Sequence, residues 1–424
     1  ILGKHIAPRV VTAMRHGTVV EQTCRFAFYV VSCQLLARGT NAFRDEKVLF
    51  CYYTVDNNID SSLIPENIDP FLCTHVIVGF AGVNNSTLDL LGLDKFFRRS
   101  LVLKQKNPLL KMLLSVGGSS GFQIMTSRQE YIDKFVESVK DSMREFKFDG
   151  LDVDWEFPSF ASPLHGRFGL TKLLQSLHKL LHINFQPSLL LTIAVSATKW
   201  IIDSSYDVPS VNKYVDYINL MGYDLHTFSI LFPFAGHNSP LYPQKYEFGF
   251  LSQLNLQFSC HYWIKKGASE TKLVLGLPLY GWSFKLMFPE YRGLYSPIVG
   301  VYGGQVTYPQ VWELLQNQEI VITFDEVAKS YYASLGFQWL SFEEKNSLKI
   351  KTKFGLDLKL AGIMVFSLNC DDYNGITNLE GKQFPLTSAI KEELSPSRKL
   401  NYIEREFDNV EKYRYGSKKL MDSN

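Results

Sequence analysis

The chain has 424 residues, 44 of them basic and 42 acidic, so its net charge is +2 with neutral histidines; 46% are hydrophobic and 20% charged. That balance excludes a disordered chain, and the near-neutral charge excludes a polyphosphate-binding surface, so no nucleic acid is expected as a partner. Aromatic residues reach 14%, a load that suits a packed core and also a groove whose ring faces stack on the C–H faces of sugars.

Taken in chain order, the first feature is Phe26–Ala37 (FAFYVVSCQLLA), an apolar run behind Arg25. It reads as the h-region of an export signal, and it is shorter than the roughly 18 residues of a membrane span, so no stable membrane insertion is expected. Met14 is then the natural start, with Arg15, His16 and Arg25 as the basic flank. Residues 1–46 are assigned to this N-terminal segment, and the mature chain is expected to be secreted. From residue 47 onward eight short β-rich runs follow: Val48–Tyr53, Val76–Ala81, Met112–Val116, Leu151–Asp154, Leu189–Ala194, Tyr217–Met221, Leu273–Leu277 and Ile363–Phe366. Helical periodicity separates several of them. One helix is expected to start at Ser127, with Glu130 completing a capping box, and to bury Ile132, Phe135, Val136, Val139, Met143 and Phe146. The next carries Leu170, Leu173, Leu174, Leu177, Leu180 and Leu181 on one face.

Strands alternating with helices call for right-handed parallel crossovers, and eight such units close into a (β/α)8 TIM barrel, here placed at residues 47–394. The interval between the seventh and eighth runs exceeds what one βα unit needs, so a small α+β insertion is expected at about residues 280–340. The tail, residues 395–424, holds seven basic and five acidic residues and is expected to be a polar, poorly ordered extension. Cys24 and Cys33 fall in or beside the export segment. Of the rest, Cys51 lies in the first strand and Cys73 just ahead of the second, so a bridge is feasible if those strands are neighbours. Overlapping acceptor sequons at Asn84 and Asn85 fit glycosylation of an exported chain. No metal-finger spacing occurs; no metal, no cofactor and a monomer are expected.

The sharpest local signal is Asp149-Gly150-Leu151-Asp152-Val153-Asp154-Trp155-Glu156. Side chains alternate along a strand, so Asp152, Asp154 and Glu156 share one direction and Val153 and Trp155 the other. Three carboxylates in file inside a barrel are costly unless one holds a proton or finds donors. Repulsion and partial burial keep one member protonated, which is what a general acid requires. Glu156, nearest the C-terminal mouth, is the natural proton donor.

DGLDVDWE matches the DGxDxDWE signature of family 18 glycoside hydrolases, the chitinases and chitinase-like lectins, and the resemblance runs from about Lys47 to Leu394. It includes Ser115-Val116-Gly117-Gly118, Met221-Gly222-Tyr223-Asp224, the segment Gly236-His237-Asn238-Ser239-Pro240-Leu241-Tyr242, and Gly362-Ile363-Met364-Val365-Phe366. It most resembles the animal secreted group, whose first disulfide matches Cys51 and Cys73. The resemblance implies hydrolysis of β-1,4 bonds in chitin or N-acetylglucosamine oligosaccharides by substrate-assisted, retaining catalysis. Glu156 would be the acid/base, Asp154 would hold the substrate's acetamido N–H, and Asp152 would share its proton at rest. Tyr223 would position the acetamido carbonyl and Asp224 would bind a hydroxyl. Tyr52, Phe80, Gly118, Ser119, Met221, Tyr280, Trp282 and Phe366 complete the implied binding set.

Several positions depart from that pattern. Phe366 and Ser119 stand where the family has Trp, and Trp282 where it has Arg. The loop Thr54–Asn58 lacks a common tryptophan and is shortened, and Cys370 stands out of register with no partner before it. Each lost platform removes roughly 1–2 kcal/mol of stacking, so the groove is expected to hold long polymers less tightly. A glycan-binding, non-hydrolytic lectin is therefore the rival reading. Family lectins usually lose the acid at the position of Glu156, which this chain keeps. Gly117-Gly118-Ser119-Ser120-Gly121 formally fits the GxSxG elbow, but an elbow needs a helix at once and the helical pattern starts near Ser127. His178 and His182 lie four apart on a helix with no acidic third ligand evident, which favours a solvated flank over a metal pair. His237, Trp263 and Trp312 are expected to be structural.

Overall fold

The computed structural model describes residues 47–55, 63–91, 93–118, 120–161 and 165–395. The export-segment, tail and Ser119 assignments, and all but the start of the Thr54–Asn58 loop, lie outside the described residues. Eight parallel strands form a closed barrel: β1 (Val48–Thr54), β2 (His75–Asn84), β3 (Lys111–Gly118), β4 (Gly150–Trp155), β5 (Leu190–Ser196), β6 (Tyr217–Met221), β7 (Leu273–Pro278) and β8 (Gly362–Phe366). Each pairs with its sequence neighbours, and β1 closes the ring by pairing with both β2 and β8. A short antiparallel strand, Thr87–Asp89, extends β2 beyond the ring.

Two cores follow from the period-two pattern of the strands. Residues facing inward, among them Phe50, Tyr52, Ile77, Leu113, Val274 and Met364, fill the barrel. Residues facing outward, such as Leu151, Val153 and Trp155 on β4, join the apolar faces of the helices. The helix Gln129–Phe146 buries Ile132, Phe135, Val139, Met143 and Phe146, while Val136 is half-buried; the helix Gly166–Ile183 buries all six expected leucines.

Two local expectations are corrected. Ser127 does not cap the helix that follows: its hydroxyl donates back to the Ile124 carbonyl, and the N-cap position is Arg128 with no side-chain cap. Ser127 ends a preceding helical segment instead. That segment, the helix Ser120–Met125, begins directly after β3, so the absence of a helix does not argue against a GxSxG elbow. Its six residues are too few for a periodic apolar stripe to be legible. Gly121 lets it lie against β2, since a Cβ there would meet the Val83 carbonyl oxygen at 2.3 Å.

Between β7 and β8 the chain forms an antiparallel five-stranded sheet in the order Ile298–Thr307, Tyr280–Leu286, Gln338–Phe342, Ser330–Leu335, Val321–Asp325, with the helix Tyr308–Leu315 beside it. Cys51 and Cys73 are disulfide-bonded with Cα atoms 6.3 Å apart. Cys260 and Cys370 are free. Asn84 and Asn85 lie exposed on the turn between β2 and its extension. Among the described residues no helix is long and apolar enough to cross a membrane.

The disulfide spans 22 residues, and a loop of that size is worth about 3 kcal/mol in unfolded-chain entropy. Replacing both cysteines by Ser is expected to lower the unfolding free energy by about that amount, read as a lower urea midpoint. An unchanged midpoint would show that the bridge constrains nothing the native strands do not already hold.

Candidate active site

A cavity of about 470 Å³ opens at the C-terminal end of the strands and is lined by Asp154, Glu156, Tyr223, Asp224, Tyr280, Phe366 and others. The strand pleat places the carboxylates as the alternation requires. Asp152 is fully buried in the barrel, Asp154 lies above it, and Glu156 follows the last residue of β4 at the mouth. Of the expected binding set, Tyr52, Phe80, Gly118, Met221, Tyr223, Asp224, Tyr280 and Phe366 line the cavity. Trp282 does not line it but reaches its rim through Asp224.

Asp152 sits in a layer of inward-facing polar residues. Strand register puts Ser115 of β3 and Thr192 of β5 beside it. Its Oδ2 accepts from the hydroxyls of Tyr52 and Ser115, both at 2.7 Å, and its Oδ1 from the Thr192 hydroxyl at 2.5 Å and Asn219 Nδ2 at 3.4 Å. Burial raises its proton affinity and these hydrogen bonds oppose the rise. The expected partner Asp154 is not among its donors. Ser115 enters the sequence pattern only within the Ser115–Gly118 motif, and Thr192 and Asn219 not at all, because isolated polar residues in apolar strands become a set only once the register aligns them.

Asp154 is the opposite case. It is buried, and its Oδ1 has no hydrogen-bond partner among the described residues. Burial, then the charges of Glu156 and Asp152, push its carboxyl well above the usual aspartate range. Glu156 reaches solvent through the open cavity yet is walled in by protein on most sides. Burial raises its carboxyl first, and the charge of Asp224 second. The sequence pattern pointed to the inner aspartates as its tuning charges; the structure adds Asp224 from across the mouth.

Asp224 has a left-handed backbone, φ 57°, held by its N–H donating to Asn238 Oδ1 at 2.8 Å. Its carboxylate accepts from the Tyr280 hydroxyl at 2.7 Å and the Trp282 indole N–H at 2.6 Å. The indole therefore supplies a donor where the family pattern has a guanidinium. Asn238 also donates to the Tyr280 carbonyl, and Ser239 to the Gly222 carbonyl at 2.5 Å, so the Gly236–Tyr242 segment anchors the β6 mouth to the inserted sheet. His237 pairs with Asp325 in that anchor, a structural role.

Phe366 stands at the centre of an aromatic floor, with ring centroids 5.5 Å from Tyr52, 5.8 Å from Tyr223, 6.3 Å from Tyr280 and 6.5 Å from Phe80. Phe80 can lie there because position 117 is glycine: a Cβ would meet the Phe80 ring at 2.8 Å. Phe157, Ser196, Thr198, Ile201 and Gln305 also line the cavity; they lie at the end of β5, on the loops and short helix that follow β4 and β5, or on the inserted sheet, without a motif of their own. Elsewhere, His182 has Asp216 at 3.3 Å, an acidic neighbour the spacing alone did not reveal, but no cluster of three metal-ligating side chains occurs among the described residues. Trp263 is core, its indole donating to the Ser196 carbonyl, and Trp312 is half-buried.

A closed (β/α)8 barrel with Asp152 and Asp154 filed along β4, and Glu156 just beyond it at a cleft on the C-terminal face, gives the acidic signature the setting its spacing predicts. The chain belongs to the glycosyl hydrolases family 18, whose model matches residues 48–371. It is 33% identical over 395 residues to human chitinase-3-like protein 2, covering 89% of this chain and 99% of that one. It is 34% identical over 369 residues to mouse chitotriosidase-1, covering 82% and 78%. Among solved structures, a group IV chitinase from Ostrinia furnacalis superposes with a TM-score of 0.77 at 34% identity, covering 82% of this chain and 99% of that one. Human YKL-39, described as a pseudo-chitinase with retained chitooligosaccharide binding, superposes with a TM-score of 0.75 at 33% identity, covering 82% and 99%. The relatives thus include chitinases and a pseudo-chitinase.

Because folding raises the proton affinity of Asp154, the folded state holds more protons than the unfolded chain from about pH 4 upward. Stability therefore falls as pH climbs from there toward the raised value. Asp154→Asn is expected to melt a few degrees above wild type at pH 7, with the two converging toward pH 3, where the carboxyl is neutral in both states. A calorimetric series across that range checks it.

Proposed function

We propose that the protein hydrolyses β-1,4 bonds between N-acetylglucosamine residues by substrate-assisted catalysis with retention. Glu156 donates its proton to the departing glycosidic oxygen as the acetamido oxygen of the same sugar bonds to the anomeric carbon and the glycosidic C–O bond breaks. Water then attacks that carbon, Glu156 takes back a proton, and the ring formed by the acetamido group reopens. Tyr223 positions the acetamido carbonyl, and Asp224 binds a hydroxyl. The sugar lies on the Phe366 floor, beside Tyr52, Phe80, Met221, Gly118 and Tyr280.

The observation that carries this reading is the unpartnered, buried Asp154 Oδ1 beside Glu156. An acceptor left without a donor in the core is costly, and Asp154, which lines the cavity, swings its carboxyl to take an acetamido N–H as the donor it lacks. Asp152, already held by four donors, stays fixed beneath. We further infer that residues 47–394 form the catalytic unit, and that it works as a secreted monomer released from residues 1–46.

The second reading, a lectin that holds such glycans without cleaving them, is favoured by Phe366 and Ser119 in place of tryptophan. A fluorogenic N-acetylchitooligosaccharide separates the two. Wild type is expected to release product, and Glu156→Gln to lower the rate by roughly 10²–10⁴-fold with the dissociation constant little changed. A well-folded wild type that binds without turnover would establish the lectin. Phe366→Trp is expected to tighten oligosaccharide binding by roughly fivefold, about 1 kcal/mol of added stacking; isothermal titration reads it, and unchanged affinity would remove Phe366 from the subsite floor.

A further inference from the structure

The cavity does not end where its enclosed part ends. Phe160 and Trp200 are 56% and 49% exposed, and they lie side by side with centroids 5.1 Å apart. Phe160 is in turn 5.6 Å from Phe157, which lines the cavity beside Glu156. Trp200 stands between Thr198 and Ile201, two more lining residues. The three rings therefore step outward from the proton donor to solvent.

The platform is built rather than incidental. Phe160 belongs to the helix Pro158–Ala161 after β4 and Trp200 to the helix Lys199–Ser205 after β5. Buried hydroxyls clip those helices together. Ser159 Oγ is 2.7 Å from Ser205 Oγ, Ser204 Oγ donates to Ser159 Oγ at 2.9 Å, and the Ser159 N–H donates to Ser205 Oγ at 3.2 Å. Ser204 also donates to the Trp200 carbonyl. Rings fixed in advance lose little freedom when a ligand covers them.

Position in the ring of strands gives the direction. β4 and β8 are four strands apart in a closed ring of eight, so Glu156 faces the Phe366 floor from the opposite wall. A sugar seated on Phe366 directs its leaving group toward β4 and β5, where the steps begin. We propose that Phe160 and Trp200 form an outlying stacking site for the leaving-group arm of a β-1,4 N-acetylglucosamine chain. This rests on the glycan reading above. It also gives the chain a substitute for the tryptophan replaced by Ser119. Sugar faces are apolar C–H surfaces, and flat exposed rings continuous with a sugar cleft suit them.

The test is titration calorimetry in the full chain carrying Glu156→Gln, so that ligands stay intact, with N-acetylchitotriose and N-acetylchitohexaose as probes. Adding Trp200→Ala is expected to lower the preference for the hexaose over the triose by about tenfold, Phe160→Ala by less, and Trp200→Tyr to restore most of it. Equal weakening for both lengths would mean a structural role and overturn the proposal, as would an unaltered preference. If the parent binds neither sugar, the glycan reading itself fails, an outcome distinct from a parent that binds both with the same length dependence as its variants.

Discussion

Placing two carboxyl groups on alternate positions of one buried strand, and a third just beyond its end, is the constraint around which this molecule is arranged. Charge in a low-dielectric interior is expensive, and three like charges more so. The fold answers the cost differently at each level. At the bottom, Asp152 receives donors from β1, β3, β5 and β6, so four of the eight strands serve one carboxylate. In the middle, Asp154 receives no donor at Oδ1 among the described residues, and burial with the neighbouring charges raises its proton affinity. At the top, Glu156 meets the cavity and is influenced by Asp224 from across it. The three carboxyls thus pass from a donor-saturated group to a solvent-reaching one along β4 and the residue that follows it.

That gradient links fold to chemistry. The inward layer that fixes Asp152 exists only because β3, β4 and β5 align Ser115, Asp152 and Thr192 in register. The same closure sets the aromatic floor at β8 opposite the acid at β4. The inserted sheet adds a wall, and Asn238 ties that wall to the β6 mouth by bonding both Asp224 and the Tyr280 carbonyl. One asparagine thereby connects the barrel, the insertion and the charge that acts on Glu156.

Much of this was legible in the sequence, and the reasons differ by element. The eight strands were readable because parallel barrel strands are short, apolar and separated by helices. The acidic file was readable because its spacing is two and its interleaved residues are apolar. The supporting polar shell was not, since Ser115, Thr192 and Asn219 lie in three separate strands and only pairing brings them to one carboxylate. The helix Ser120–Met125 was missed because six residues give no period, and Ser127 was misread as a helix start because it ends that short helix while standing three residues before a glutamate. The role of Trp282 was hidden by its identity: a departure from the family's arginine still donates to Asp224, but only coordinates reveal the bond.

That exchange has a consequence for selectivity. An indole satisfies the Asp224 lone pair without cancelling its charge, whereas a guanidinium would do both. Asp224 lines the cavity with only neutral donors on its carboxylate, and among the described residues none of the lining side chains is basic. Its charge is therefore not cancelled by a cation among those lining residues. An anion at that rim meets an unfavourable field and a cation a favourable one. The exchange of a guanidinium for an indole thus alters the electrostatics of the rim while keeping its hydrogen bond.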